Sequence, residues 1–206
     1  IDDTLSPMKD WKVVGIKFTF DSGTARNYNV NIIGGRSVLF NLNDFLWFQS
    51  SQSLPQKITL TPGFYTGTEL AAELKTQLDA NTAFTDLGIT FTVAYTADGE
   101  YVITPSAGDL RYLELNESST ISYRYSIAGH LFGFNTNTDF LSALTSDTPV
   151  PGLDSSSAII EEVAGTDLSH YNNDIHTLSL DEAIKVTTNT AGVVVNYSID
   201  YQEILV

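Results

Sequence analysis

Apolar and polar residues alternate with a period of two through most of the chain, which is the pattern of half-buried β-strands. In residues 11–20, for example, Val14, Ile16 and Phe18 fall on one side of the alternation. Glycine, proline, asparagine and aspartate interrupt the pattern at short intervals, as they do at turns. The pattern predicts strands over residues 11–20, 28–32, 37–42, 45–48, 57–61, 89–95, 100–104, 111–115, 121–125, 176–180, 183–188 and 193–201.

One segment has the spacing of an α-helix instead. Thr66 and Glu69 have the Thr-x-x-Glu spacing of a capping box, which satisfies two backbone N–H groups at a helix start. Leu70, Leu74 and Leu78 then recur every four residues and form an apolar stripe one leucine wide. The spacing predicts one long helix near residues 67–80, lying flat on a sheet.

These elements together predict a mostly β fold. Asp98-Gly99 between two alternating runs is a strong hairpin signal, and most other connections are equally short. We therefore expect a β-sandwich, jelly-roll-like, with one inserted α-helix. No linker-like tract separates two self-sufficient cores, so we predict a single β-rich domain over residues 1–206. Subdivision at the 135–157 segment is the alternative.

That segment is rich in Asn, Thr, Ser and Asp, and its prolines cannot continue a regular element. It predicts a long exposed loop, and loops of this length either carry function or are mobile. We interpret the loop as a contact or display surface, with a mobile or partner-ordered loop as the alternative. Its candidate contact residues are Phe134, Asn135, Asn137, Asp139, Phe140, Asp147, Pro149 and Pro151.

The composition narrows the range of partners. Of the 206 residues, 42% are hydrophobic, which excludes a disordered chain. Ten basic residues against 25 acidic ones give a net charge of −15, which repels phosphate backbones, so we expect no nucleic-acid partner. No apolar stretch approaches the length of a membrane span, so we expect no membrane insertion. Because the chain begins with Ile1 and not Met, we expect a trimmed N-terminus.

The sequence offers no reactive centre. Cysteine is absent, and His130, His170 and His176 lack the spacing of a metal pair, the last two flanking a predicted turn. The nucleophile elbow, phosphate-binding loops and calcium-loop motif are also absent, although acidic turns that converge could still hold calcium. We predict neither catalysis nor a cofactor nor a metal site. The aromatic candidates for rigid contact area, with core or sheet-face positions as the alternative, are Trp47, Phe48, Tyr65, Tyr123, Tyr125 and Tyr171.

One composite pattern extends over residues 57–134. It begins with Ile58-x-Leu60-x-x-Gly63-x-Tyr65-Thr66, continues through the Glu69-Leu70 helix and the 91–104 hairpin, and closes on Leu131-Phe132-Gly133-Phe134. This order resembles virion proteins of double-stranded-DNA viruses and phages, among them minor capsid, vertex and spike-associated components. Phe132 stands where the pattern commonly shows Leu.

The resemblance implies a noncatalytic structural protein of a virus particle, located in the virion, whose partners are other copies of itself and neighbouring virion proteins. The alternative is a carbohydrate- or receptor-binding module of a phage tail, spike or adhesin, with a host receptor or glycan as partner. A glycoside-processing enzyme is a third hypothesis, because such enzymes need only two facing carboxylates, and acidic residues are spread widely here.

Overall fold

The chain divides into two compact units, which are described separately below. Unit 1 is Ile1–Gly34 with Ser155–Val206, and unit 2 is Gly35–Asp154. The second boundary falls inside the 135–157 segment, where the sequence allowed a subdivision; nothing in the sequence pattern indicated the first. The computed structural model describes residues 11–20, 26–115, 117–118, 123–124, 128–165, 167–178, 182–188 and 195–203.

The described residues are mostly β, with several antiparallel sheets and two α-helices, as the sequence predicted in outline. The strands are β1 (Trp11–Phe20), β2 (Arg26–Gly34), β3 (Arg36–Val38), β4 (Phe45–Ser50), β5 (Gln56–Thr59), β6 (Gly63–Tyr65), β7 (Phe91–Tyr95), β8 (Tyr101–Pro105), β9 (Leu110–Leu113), β10 (Glu117–Ser118), β11 (Tyr123–Arg124), β12 (Leu144–Thr145), β13 (Ser156–Gly165), β14 (Asp167–Leu178), β15 (Glu182–Thr188) and β16 (Val195–Glu203). The helices are α1 (Gly67–Ala80) and α2 (Thr82–Thr85), and Ala128–Phe132 forms a 3₁₀ helix.

Unit 1 contains two three-stranded antiparallel sheets. Their strand orders are β14-β1-β16 and β13-β2-β15, so each N-terminal strand lies between two strands from the other end of the chain. The predicted turn between His170 and His176 was wrong, because β14 runs through both residues. The register against β1 shifts there: His176 is opposite Val13, whereas Tyr171 is opposite Gly15. A bulge therefore absorbs the polar residues between them.

Unit 2 holds the remaining sheets, with strand orders β5-β4-β9, β12-β8-β7, β3-β6 and β10-β11. The predicted 91–104 hairpin is confirmed as β7 paired with β8 in antiparallel register. Gly99 occupies its turn with φ of 84°, a conformation that glycine adopts without steric cost.

The long helix is also confirmed at its predicted bounds. Thr66 Oγ1 accepts the Glu69 N–H, and the Glu69 side chain accepts the Thr66 N–H, which completes the capping box. Leu70, Leu74 and Leu78 are fully buried, so the leucine stripe faces the core. The short helix α2 was not predicted; its N-terminus is capped by Asn81.

Large aromatic side chains fill the core of unit 2. The Phe134 ring stacks on Tyr112 with centroids 5.2 Å apart, and Phe48 packs edge-on against both rings. Phe132 packs edge-on against Tyr101. Gly133, with φ of 76°, makes the bend that turns Phe132 and Phe134 into the same core. The Leu-Phe-Gly-Phe segment is therefore a packing element.

Two predicted boundaries were wrong. The strand expected over residues 37–42 ends at Val38, because Asn41 adopts a φ of 61° that turns the chain. The loop expected over 135–157 contains β12 paired with β8, and its last residues already belong to β13. Tertiary pairing supplies hydrogen bonds for this segment that its composition did not indicate.

Candidate functional site

The predicted contact loop has both buried and exposed members. Phe134 is only 1% exposed, so it contributes to the core and offers no surface to a partner. The other seven candidates are exposed: Asn135, Asn137, Asp139, Phe140, Asp147, Pro149 and Pro151. The interpretation as a surface segment therefore applies to these seven residues.

The backbone of this segment is fastened to unit 2 along its length. Leu141 exchanges two 2.9 Å hydrogen bonds with Leu110. Farther on, the Ser146 N–H donates to the Tyr101 carbonyl at 2.9 Å, and the Val150 N–H donates to the Gly99 carbonyl at 2.7 Å. The segment thus presents its exposed side chains from a hydrogen-bonded frame.

Several of the polar candidates serve that frame. Asn135 Oδ1 lies 2.8 Å from His130 Nδ1, its Nδ2 donates to Thr148 Oγ1 at 2.8 Å, and its N–H donates to Asp147 Oδ2 at 3.1 Å. Asn137 Oδ1 accepts the Glu114 N–H at 2.6 Å. These contacts position the segment, and they make His130 an exposed, hydrogen-bonded residue of the 3₁₀ helix.

Phe140 is the large aromatic residue that the segment exposes. The guanidinium carbon of Arg111 lies 4.5 Å from the centroid of its ring. Arg111 also donates to Gln49 Oε1 through Nε at 3.1 Å and Nη2 at 2.6 Å, so its guanidinium group is held in place. Together with Leu141, which is 44% exposed, Phe140 forms a small apolar surface beside a fixed cation.

A more exposed surface lies in residues 39–43, which we call the apolar loop. Phe40 is 71% exposed, Leu42 54% and Leu39 40%. Apolar side chains that are exposed together, unlike single ones, are found at interaction sites of proteins. The period-two pattern concealed the loop by predicting a strand there. The signal that could have found it is Asn41-Leu42-Asn43, since asparagine favours turns.

The apolar loop is a defined turn. Asn43 Oδ1 accepts the Leu39 N–H at 2.6 Å, and Asn43 Nδ2 donates to the Ser37 carbonyl at 3.0 Å. Asp44 is 4% exposed, and its Oδ2 accepts the Asn41 N–H at 2.9 Å. The loop therefore presents its apolar side chains at little entropic cost of ordering on binding.

A groove lies between β6 and α1, and we call it the acidic groove. Its volume is about 430 Å³. The residues that line it are Phe64, Tyr65, Glu69, Ala72, Glu73 and Thr76. The helical members follow an i, i+3, i+4, i+7 spacing, so they form one stripe on the outer side of the helix. The leucine spacing gave no sign of this stripe, because it marks the buried side of the helix.

The negative charge of the acidic groove affects the pKa of Tyr65. Partial burial, together with the carboxylates of Glu73 and Glu69, raises the pKa of the Tyr65 phenol. Tyr65 Oη donates to the Thr61 carbonyl at 2.9 Å, which fixes the ring at the rim of the groove.

The other aromatic candidates have mixed positions. Phe48 is fully buried in the core, and Trp47 is half-buried on β4. Tyr65 is half-buried and lines the acidic groove. The side chains of Tyr123, Tyr125 and Tyr171 lie outside the described residues.

Within the described parts of the chain, no group of three or more His, Asp or Glu side chains could hold a metal ion. The helices described there include none with the length and apolarity needed to cross a membrane.

Comparisons of this chain with protein-family models, with curated proteins and with solved structures find no match.

Proposed function

We propose that the protein is a noncatalytic structural component of a virus particle and acts through protein–protein contacts. The proposal combines the resemblance over residues 57–134 with the surface of unit 2. Its partners would be other copies of itself and neighbouring virion proteins, repeated around a symmetry axis so that modest contacts add up. The sandwich of jelly-roll type belongs to the same proposal, supported by antiparallel sheets in which strands distant in sequence are neighbours.

The apolar loop is the observation that carries the proposal. Phe40 and Leu42 are more than half exposed on a turn held by the Asn43 and Asp44 side chains. Burial of one such side chain against a partner contributes about 1.5–3 kcal/mol, so the loop can anchor an interface. The exposed residues of the 135–151 segment would add polar contacts around such an anchor.

Light scattering of the purified chain, combined with its detection in purified virus particles, tests this function. We expect an oligomer that also cofractionates with particles. The double variant Phe40→Ser, Leu42→Ser should weaken self-association at least about tenfold, because it removes the apolar anchor. Leu54→Ser is the matched control, since Leu54 is 77% exposed in the turn between β4 and β5. A monomer that is absent from particles would contradict the proposal.

A carbohydrate- or receptor-binding module is the second candidate, favoured by Phe140 and Arg111. An exposed ring beside a fixed polar group is the arrangement on which sugar rings stack. The experiment is a glycan array probed with the purified chain and with Phe140→Ala. Binding that is lost in this variant and kept in Leu54→Ser would favour glycan recognition over assembly.

A further inference from the structure

The acidic groove combines an aromatic side with a carboxylate side. Phe64 and Tyr65 come from β6, and Glu69 and Glu73 come from the facing stripe of α1. Ala72 and Thr76 are small, so they leave room between the two sides. A volume of about 430 Å³ is enough for a single long side chain.

Glu73 is fixed in an orientation that leaves one carboxylate oxygen available. Its Oε1 accepts the Thr61 N–H at 2.7 Å and the Gln77 Nε2 hydrogen at 3.0 Å. Among the described residues, nothing donates to its Oε2. A preorganised carboxylate with a remaining acceptor position is suited to a charged donor.

The helix itself supplies no cation to this carboxylate. Lys75, the basic residue of α1, forms an ion pair with Asp79. The second acidic residue of the groove, Glu69, adds negative charge one helical turn before Glu73. The resulting field favours a positive ligand, and aromatic rings at the same place favour a cation further.

We propose that the acidic groove binds a lysine or arginine side chain of a partner protein. The alkyl part of that side chain lies against Phe64 and Tyr65, and its charged end is held by the Glu73 carboxylate. This contact does not involve the apolar loop. It requires that one partner protein carries an exposed basic segment.

The charge of the chain favours a different protein as the donor over a second copy of this chain. In unit 2 the basic side chains that the structure describes are already engaged. Lys57 lies 4.5 Å from the centroid of the Phe45 ring, Arg111 is held by Gln49, and Arg36 has interactions of its own. A net charge of −15 also makes a copy of the chain a poor source of a basic segment.

Fluorescence anisotropy with a labelled tetralysine peptide, added to the full chain, tests the inference. Glu73→Gln should lower the affinity about fivefold, because it removes the binding contribution of one exposed ion pair. The glutamine keeps Oε1 as an acceptor for the Thr61 N–H, so the variant should fold. Glu114→Gln is the matched control because Glu114 is exposed and not part of the groove. Tyr65→Ser should also weaken binding, whereas Tyr65→Phe, which keeps the ring, should not.

The location of binding is a second measurement. In amide NMR spectra of the full chain, the peptide should shift the resonances of Ala72 and Thr76, and Glu73→Gln should reduce those shifts. Equal loss of affinity in Glu73→Gln and Glu114→Gln would indicate nonspecific attraction to the acidic protein and overturn the inference. Absence of tetralysine binding would overturn it as well. Phe40→Ser should leave peptide binding unchanged, so failure of the assembly proposal remains distinguishable.

Discussion

Asp154 caps the first turn of α1 at Thr68, a residue 86 positions earlier in the chain. Its Oδ1 accepts the Thr68 N–H at 2.9 Å, and its Oδ2 accepts the Thr68 hydroxyl. The Leu153 carbonyl accepts the Gly67 N–H at 3.2 Å beside it. Leu153 and Asp154 thereby satisfy backbone N–H groups that a helix start leaves unpaired.

Asp154→Ala should lower the free energy of unfolding by about 1–2 kcal/mol, since it removes a capping carboxylate from a helix N-terminus. Urea titration followed by circular dichroism measures the change. Asp139→Ala is the control, because Asp139 is exposed and should tolerate the substitution. Equal stability of the two variants would show that the cap contributes nothing.

Tyr101 and Tyr95 should respond oppositely to loss of their hydroxyl groups. Tyr101 Oη is buried without a hydrogen-bond partner among the described residues, so Tyr101→Phe should leave stability unchanged or raise it by up to about 1 kcal/mol. Tyr95 Oη donates to the Val150 carbonyl at 2.7 Å, so Tyr95→Phe should cost about 1 kcal/mol. Thermal and urea unfolding of both variants compare them directly, and a larger loss in Tyr101→Phe would refute this account.

Stability should fall at alkaline pH through Tyr101. Burial, with smaller effects from Tyr95 and Asp154, raises the pKa of the Tyr101 phenol far above its usual value near 10. The unfolded chain therefore loses this proton at about pH 10 while the folded chain keeps it. The contribution is present below pH 10 and declines above it, by about 1.4 kcal/mol per pH unit for one group. Tyr101→Phe should make the decline shallower by that amount in urea titrations between pH 9 and 11. An unchanged slope would contradict the prediction.

Gly133 should not tolerate a side chain. A Cβ at this position would lie 1.9 Å from the Thr148 carbonyl oxygen, and φ is 76°. We expect Gly133→Ala to cost more than about 3 kcal/mol, measured by urea unfolding. Gly152→Ala separates the steric clash from the backbone strain. Gly152 has a φ of 83°, but no atom lies within 4 Å of the added Cβ. That variant should cost only about 1–2 kcal/mol.

The hydrogen bonds that hold the apolar loop should affect self-association as much as its apolar side chains do. Asn43→Ala removes the hydrogen bonds to Leu39 and Ser37 while Phe40 and Leu42 remain. If the loop anchors an assembly, its self-association should weaken, because ordering the loop would then oppose binding. Light scattering at matched concentrations measures it. Self-association equal to that of the unchanged chain would show that the turn geometry is unimportant.

Local patterns were sufficient for the long helix and for one hairpin. The capping box and leucine spacing predicted α1 at its bounds, and Asp98-Gly99 predicted the β7–β8 hairpin. The helix start and the hairpin turn each depend on residues within a few positions of one another. A short stretch of sequence therefore contains all the residues that cause them.

The exposed surfaces were not predictable from the alternation of apolar and polar residues. Alternation cannot distinguish a strand from the turn at 39–43, where the Asn43 side chain replaces strand pairing. Nor can it indicate that Leu141 pairs with Leu110, or that Phe64 and Tyr65 face Glu73 across a groove. Residue type determines what a segment can pair with. The hydrogen-bond partner, or the opposite side of a groove, exists only once the chain has folded. Those tertiary contacts determine which side chains remain exposed.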